Sequence, residues 1–181
     1  MEELEKALKE CFRAAEKNEI AGKKHKCLLL VKPDNKVANG YIKKAKMNLG
    51  LCELYRQKGC DYKIPEEWFY TLYYCALAIL SRFGVESRSQ KHTALFLSYI
   101  KSKNLIEYDS EFIQRITVYS QKDEKSEVDE REESRYSSSI ENEKVRERYG
   151  EMTALCKKAI SQAEEIIFSE REFKVPKELL T

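Results

Sequence analysis

The sequence predicts an all-α protein, an up-and-down bundle of about five or six antiparallel helices. Three observations carry this. Breakers are scarce, with 6 Gly and 3 Pro in 181 residues. Good helix formers (Lys, Glu, Leu and Ala) dominate the composition. Apolar residues recur at spacings of three and four through most of the chain. The length fits a single domain with a core large enough to need no covalent staples.

A first helix is expected over residues 2–18, on the stripe Leu4, Leu8, Cys11, Phe12 and Ala15. It either stops near Gly22 or runs on to residue 30, and Pro33 ends whatever holds the run Cys27–Val31. Asp34 is an N-cap for a second helix carrying Tyr41, Ala45, Leu49, Cys52 and Tyr55, with Gly59 just past its end. Pro65 opens a third helix. Phe69, Leu72, Tyr73, Ala76, Ile79, Leu80 and Phe83 form its apolar face, Trp68, Tyr70 and Tyr74 lie outside that stripe, and Gly84 closes it. A helix this apolar is either the centre of a bundle or an oligomer interface.

A capping box of Ser87 and Gln90 predicts a fourth helix buried through Leu95, Phe96, Tyr99 and Ile100. A fifth is expected after Asp109 or Ser110, on Phe112, Ile113, Ile116 and Tyr119. Apolar content collapses over residues 121–136, which reads as an exposed extension or loop. A second capping box, Ser138 with Glu141, starts a last helix running to about Glu172 through Val145, Tyr149, Met152, Cys156, Ala159, Ile160, Ala163, Ile166 and Ile167. The expected organisation is an added N-terminal helix over residues 1–32 packed on the bundle, a helical bundle domain over 33–172 and a C-terminal tail over 173–181.

No run of about 18 uncharged apolar residues exists, so no membrane span is expected. The acidic, amphipathic start does not read as a secretory signal. The six cysteines include no C-x-x-C pair, and there are two histidines, so no metal and no cofactor are expected. Cys11, Cys52, Cys75 and Cys156 fall at or beside apolar helix positions. They read as small buried thiols of a reducing, cytoplasmic protein. His25 sits among lysines and is given no role.

Charge is segregated. Residues 21–52 hold eight lysines, Lys43 and Lys44 among them, against the single acid Asp34; residues 107–151 hold fourteen acids and eight bases. The basic stretch is either a solvated helix face or a phosphate-binding surface. The predicted start of the fourth helix adds Arg88, Lys91 and His92 where free amides and a partial positive charge already favour an anion. Four positions apart, Arg88 and His92 would share a helical face.

Tyr41–Gly59, Trp68–His92 and Arg131–Tyr136 with the long last helix together resemble the HEPN domain, a small all-helical domain of prokaryotic nucleotidyltransferase partners, toxins and defence proteins. The correspondence lies in Ala45 and Leu49, in Tyr73-Tyr74-Cys75-Ala76, in Gly84 with Lys91 and His92, and in Arg131 and Tyr136. It spans roughly residues 36–170. Ribonuclease members of that family space an arginine and a histidine more widely than Arg88 and His92, and the Asp expected before Tyr136 is Arg135.

The resemblance therefore implies a non-catalytic HEPN protein. It would bind nucleotide or nucleic acid phosphates through Arg88, Lys91, His92, Lys43 and Lys44, or pair with a nucleotidyltransferase, in a toxin–antitoxin or defence setting. One alternative is a metal-independent endoribonuclease, with Arg88 stabilising the phosphate and His92 as general acid or base, the two supplied across a dimer. The other is a homodimeric assembly module without ligand, joined through helix 65–84.

Overall fold

Helix α3 (Ile64–Arg82) is the centre of the protein, and its sequence explains why. Pro65 sits in its first turn, and Trp68, Phe69, Leu72, Ile79 and Leu80 are each 1% exposed or less. Such a helix has almost no face to give to water. It is covered by α2 (Asn35–Gln57) and by the long α6 (Asn142–Phe168). Trp68 belongs to this core and not to an outer face: it meets Tyr149 of α6 at 6.3 Å between ring centroids. The apolar surface that the sequence offered as a dimer face is spent inside the chain.

The computed structural model describes residues 2–117, 131–132 and 142–180. Among these, six α-helices and a small sheet are present, so the protein is mostly helical, as expected. The remaining helices are α1 (Glu2–Ile20), α4 (Gln90–Ser102) and α5 (Ser110–Arg115). Asp34 caps α2 as its sequence predicts, accepting from the amides of Lys36 at 2.7 Å and Val37 at 3.1 Å. Asp109 does the same for α5, accepting from Glu111. Gly59 and Gly84 take positive φ just past α2 and α3. Tyr119, the 121–136 extension apart from Arg131 and Glu132, and the Ser138–Glu141 capping box lie outside the described residues.

Two expectations are corrected. The first helix does not run on to residue 30: the run after Cys27 is a strand, β1 (Leu28–Leu30), paired antiparallel with β2 (Val85–Ser87). Leu28 faces Ser87, Leu29 faces Glu86 and Leu30 faces Val85. The segment after α6 is not a loose tail. Phe173, Val175 and Leu179 are buried, Phe173 lies 4.9 Å from Phe83, and Arg82 Nη2 donates to the carbonyls of Ser169 and Arg171. Helix α1 packs on the bundle through Leu8, Cys11, Phe12 and Ala15, which enter the same core as α3 and α4. Cys11, Cys52, Cys75 and Cys156 are buried, as expected. No described helix is long and apolar enough to cross a membrane.

Candidate functional site

The corner between β2 and α4 holds the residues singled out by sequence, in a different arrangement. Gly84, at φ +71°, turns the chain out of α3. The ribbon is extended at both ends by Val31 N–H donating to Gly84 O (2.8 Å) and Arg88 N–H donating to Cys27 O (3.1 Å). That pairing holds residues 85–88 extended, so Ser87 cannot start a helix. Its hydroxyl instead meets Thr93 Oγ1 at 2.7 Å. The N-cap is Ser89, whose Oγ accepts from His92 N–H and also bonds His92 Nδ1 at 2.7 Å. Arg88 therefore precedes α4, and the helical face it was to share with His92 does not exist.

The two side chains go separate ways. Arg88 is exposed, with its Nε donating to Glu86 Oε1 at 2.9 Å. It lines an open groove of about 470 Å³ together with Lys32, Asp34, Val37, Tyr41 and Glu86. The two carboxylates there are already engaged, Asp34 in its cap and Glu86 by Arg88 and His25. Lys32 and Arg88 thus meet the groove beside two carboxylates, so the charges of its lining balance formally. His92, Lys91, Lys43 and Lys44 do not line it. Lys91 and Lys43 are exposed.

Beside the groove, Tyr41, Tyr74 and Tyr70 form a partly exposed stack, with centroids 6.0 and 5.8 Å apart. Lys44 Nζ sits 5.4 Å from the Tyr74 ring and 5.7 Å from Tyr41. At the other end Arg131 lies over Phe69 at 4.4 Å and Tyr70 at 6.0 Å. Burial holds the Tyr41 and Tyr74 hydroxyls above the ordinary phenol value, so both are neutral donors at neutral pH. Stacked rings flanked by cations offer π faces and charge together.

Sequence reasoning missed the opposite side of the corner. His25 is buried; its Nδ1 donates to Cys27 O at 3.1 Å and its Nε2 reaches Glu86 Oε1 at 3.2 Å. It thereby ties the segment before β1 to β2. Cys11 on α1, Cys27 beside β1 and His92 on α4 present their sulfurs and a ring nitrogen within 4.8 Å of one another. Cys11 Sγ also accepts the buried Leu28 N–H at 3.2 Å. Burial, with the Cys27 side chain adding to it, pushes the Cys11 thiol up. Burial and then Lys91 hold His92 below the ordinary imidazole value, so the ring is neutral at pH 7. No sequence signal announced this cluster, because its members lie 16 and 65 residues apart. No family model matches the chain, and neither does any curated protein or solved structure.

Proposed function

We propose that this is a non-catalytic HEPN-type protein that binds single-stranded RNA or nucleotide phosphates. The observation that carries the reading is the groove walled by Tyr41, in which Lys32 and Arg88 stand beside Asp34 and Glu86, with the Lys44-capped tyrosine stack next to it. Phosphates would meet Lys32 and Arg88, while bases stack against the tyrosine edge of the platform. Lys43 and Lys91 add positive charge around that path. The resemblance of Tyr41–Gly59 and Trp68–His92 to HEPN segments supports the same reading, and with it a nucleotidyltransferase partner in a toxin–antitoxin or defence setting. Within one chain Arg88 lines the groove while His92 lies beside two sulfurs, so the ribonuclease alternative would need the two to meet across a dimer.

The test is fluorescence anisotropy of a labelled mixed-sequence single-stranded RNA in EDTA. Affinity is expected to fall at least about tenfold between 50 and 200 mM salt, as release of counterions from a few phosphates requires. Replacing Lys32 and Arg88 together by Gln should weaken binding and reduce the salt slope by about 1.4. Tyr41→Ala should cost about 1–3 kcal/mol if a base stacks there. Absence of salt-dependent binding to RNA or to a nucleoside triphosphate overturns the reading, and scission of the RNA returns the ribonuclease alternative.

A second observation favours self-association. Val37, Met47, Leu51 and Leu54 lie on the outward face of α2, exposed by 46, 70, 37 and 47%. A homodimer reading therefore moves from helix 65–84 to α2.

A further inference from the structure

We infer that Cys11, Cys27 and His92 form a binding site for one zinc ion that clamps α1 to the β-ribbon and to α4. This goes beyond the phosphate-binding reading and does not depend on it. The three donors come from α1, the segment just before β1 and α4, and converge to within 4.8 Å of one another. A tetrahedral zinc with bonds of about 2.3 Å to sulfur and 2.0 Å to nitrogen needs its donors about 3.5–3.8 Å apart. Small side-chain rotations close that difference.

The donor set is chemically selective. Two thiolates and an imidazole are soft and borderline ligands that suit zinc and do not suit calcium or magnesium, which take oxygen. Two thiolates also neutralise a divalent ion, so the loaded centre carries no net charge into a corner where Cys11 is 2% exposed.

The surroundings orient all three ligands. Leu28 N–H already points at Cys11 Sγ, a contact that strengthens when the sulfur becomes a thiolate. Cys27 is held through its carbonyl, which accepts from both Arg88 N–H and His25 Nδ1. His92 Nδ1 engages Ser89 Oγ at 2.7 Å. With the ring proton on Nδ1, Ser89 accepts it and Nε2 keeps a free lone pair for the ion. Three protein ligands leave the fourth tetrahedral position to water.

The experiment uses the full chain, purified and held under reductant, then incubated with zinc chloride and desalted. One zinc per chain is expected, with a Tm higher by about 10 °C than in the chelator-treated protein. Cobalt(II) in its place should give the visible bands and near-ultraviolet sulfur charge transfer of a tetrahedral thiolate site. Cys27→Ser and His92→Ala, both at half-buried positions, should each weaken zinc binding at least roughly 100-fold. Cys60→Ser, outside the cluster, should not. Cys11→Ser is the less useful variant because Cys11 is in the core. Equal zinc uptake by the parent, Cys27→Ser and His92→Ala overturns the site, as does no uptake by the reduced parent. A Cys11–Cys27 disulfide in protein made without reductant, together with no zinc uptake after reduction, would replace the metal with a cross-link.

Discussion

Gly84 and Gly59 have nearly the same backbone angle, φ +71° and +68°, yet different surroundings. A Cβ on Gly84 would stand 2.5 Å from Val31 O and 3.0 Å from Pro33, whereas one on Gly59 would meet nothing within 4 Å. Both substitutions strain a left-handed backbone by about 1 kcal/mol or slightly more. Only the first also forces the ribbon apart, because Val31 N–H is bonded to the Gly84 carbonyl. Urea denaturation should therefore show Gly84→Ala losing at least about 2 kcal/mol and Gly59→Ala about 1 kcal/mol. Equal losses would mean that the close approach to Val31 carries no weight. The need for glycine at both positions was legible as a helix stop in the sequence. The backbone of Val31 beside one of them was not, since it arrives from a strand more than fifty residues earlier.

Of the two roles that periodicity left open for α3, bundle centre or oligomer interface, the fold gives it the first, and an exposed apolar face falls to α2. The apolar residues of α3 are covered within the chain, and Leu72 is 1% exposed. Leu72→Asp would place an unpaired carboxylate in that core and should abolish the cooperative thermal transition. Leu51→Glu, on the exposed face of α2, should leave the transition intact and, in sedimentation, convert any homodimer to monomer. A folded, monomeric Leu72→Asp protein would instead restore the interface reading of α3. The start of α4 shows the same lesson locally. Ser87 and Ser89 carry identical capping chemistry, and strand pairing decides between them by holding the first in the ribbon.

Both ends of the chain are built into one core. Leu8 and Phe12 of α1 meet α4, with Phe12 6.2 Å from Phe96, while Leu179 is 1% exposed and Tyr99 donates to Glu178 at 3.0 Å. Leu179→Ala should then cost about 2–3 kcal/mol in urea denaturation, as a core leucine does. A loss below about 0.5 kcal/mol would make residues 173–180 the tail that their composition suggested. The charge segregation of the sequence is partly consumed by folding: Lys46 pairs with Glu164 at 2.7 Å, and Lys158 with Asp109 at 2.9 Å. At the groove, Lys32 and Arg88 arrive from distant segments and stand beside Asp34 and Glu86.

Sequence alone determined the helical class, the cap at Asp34, the stops at Gly59 and Gly84, and the buried stripes of α1, α3 and α6. These are set by contacts within a few residues, through backbone hydrogen bonding and the 3.6-residue period. Tertiary structure decided the β-ribbon, the shift of the α4 cap to Ser89, the separation of Arg88 from His92 and the convergence of Cys11, Cys27 and His92. Each depends on segments brought together only when α1 and α4 close on the same core. Spacing along the chain carries no record of such a meeting, because the packing of side chains, and not the periodicity of any one helix, selects which distant residues become neighbours.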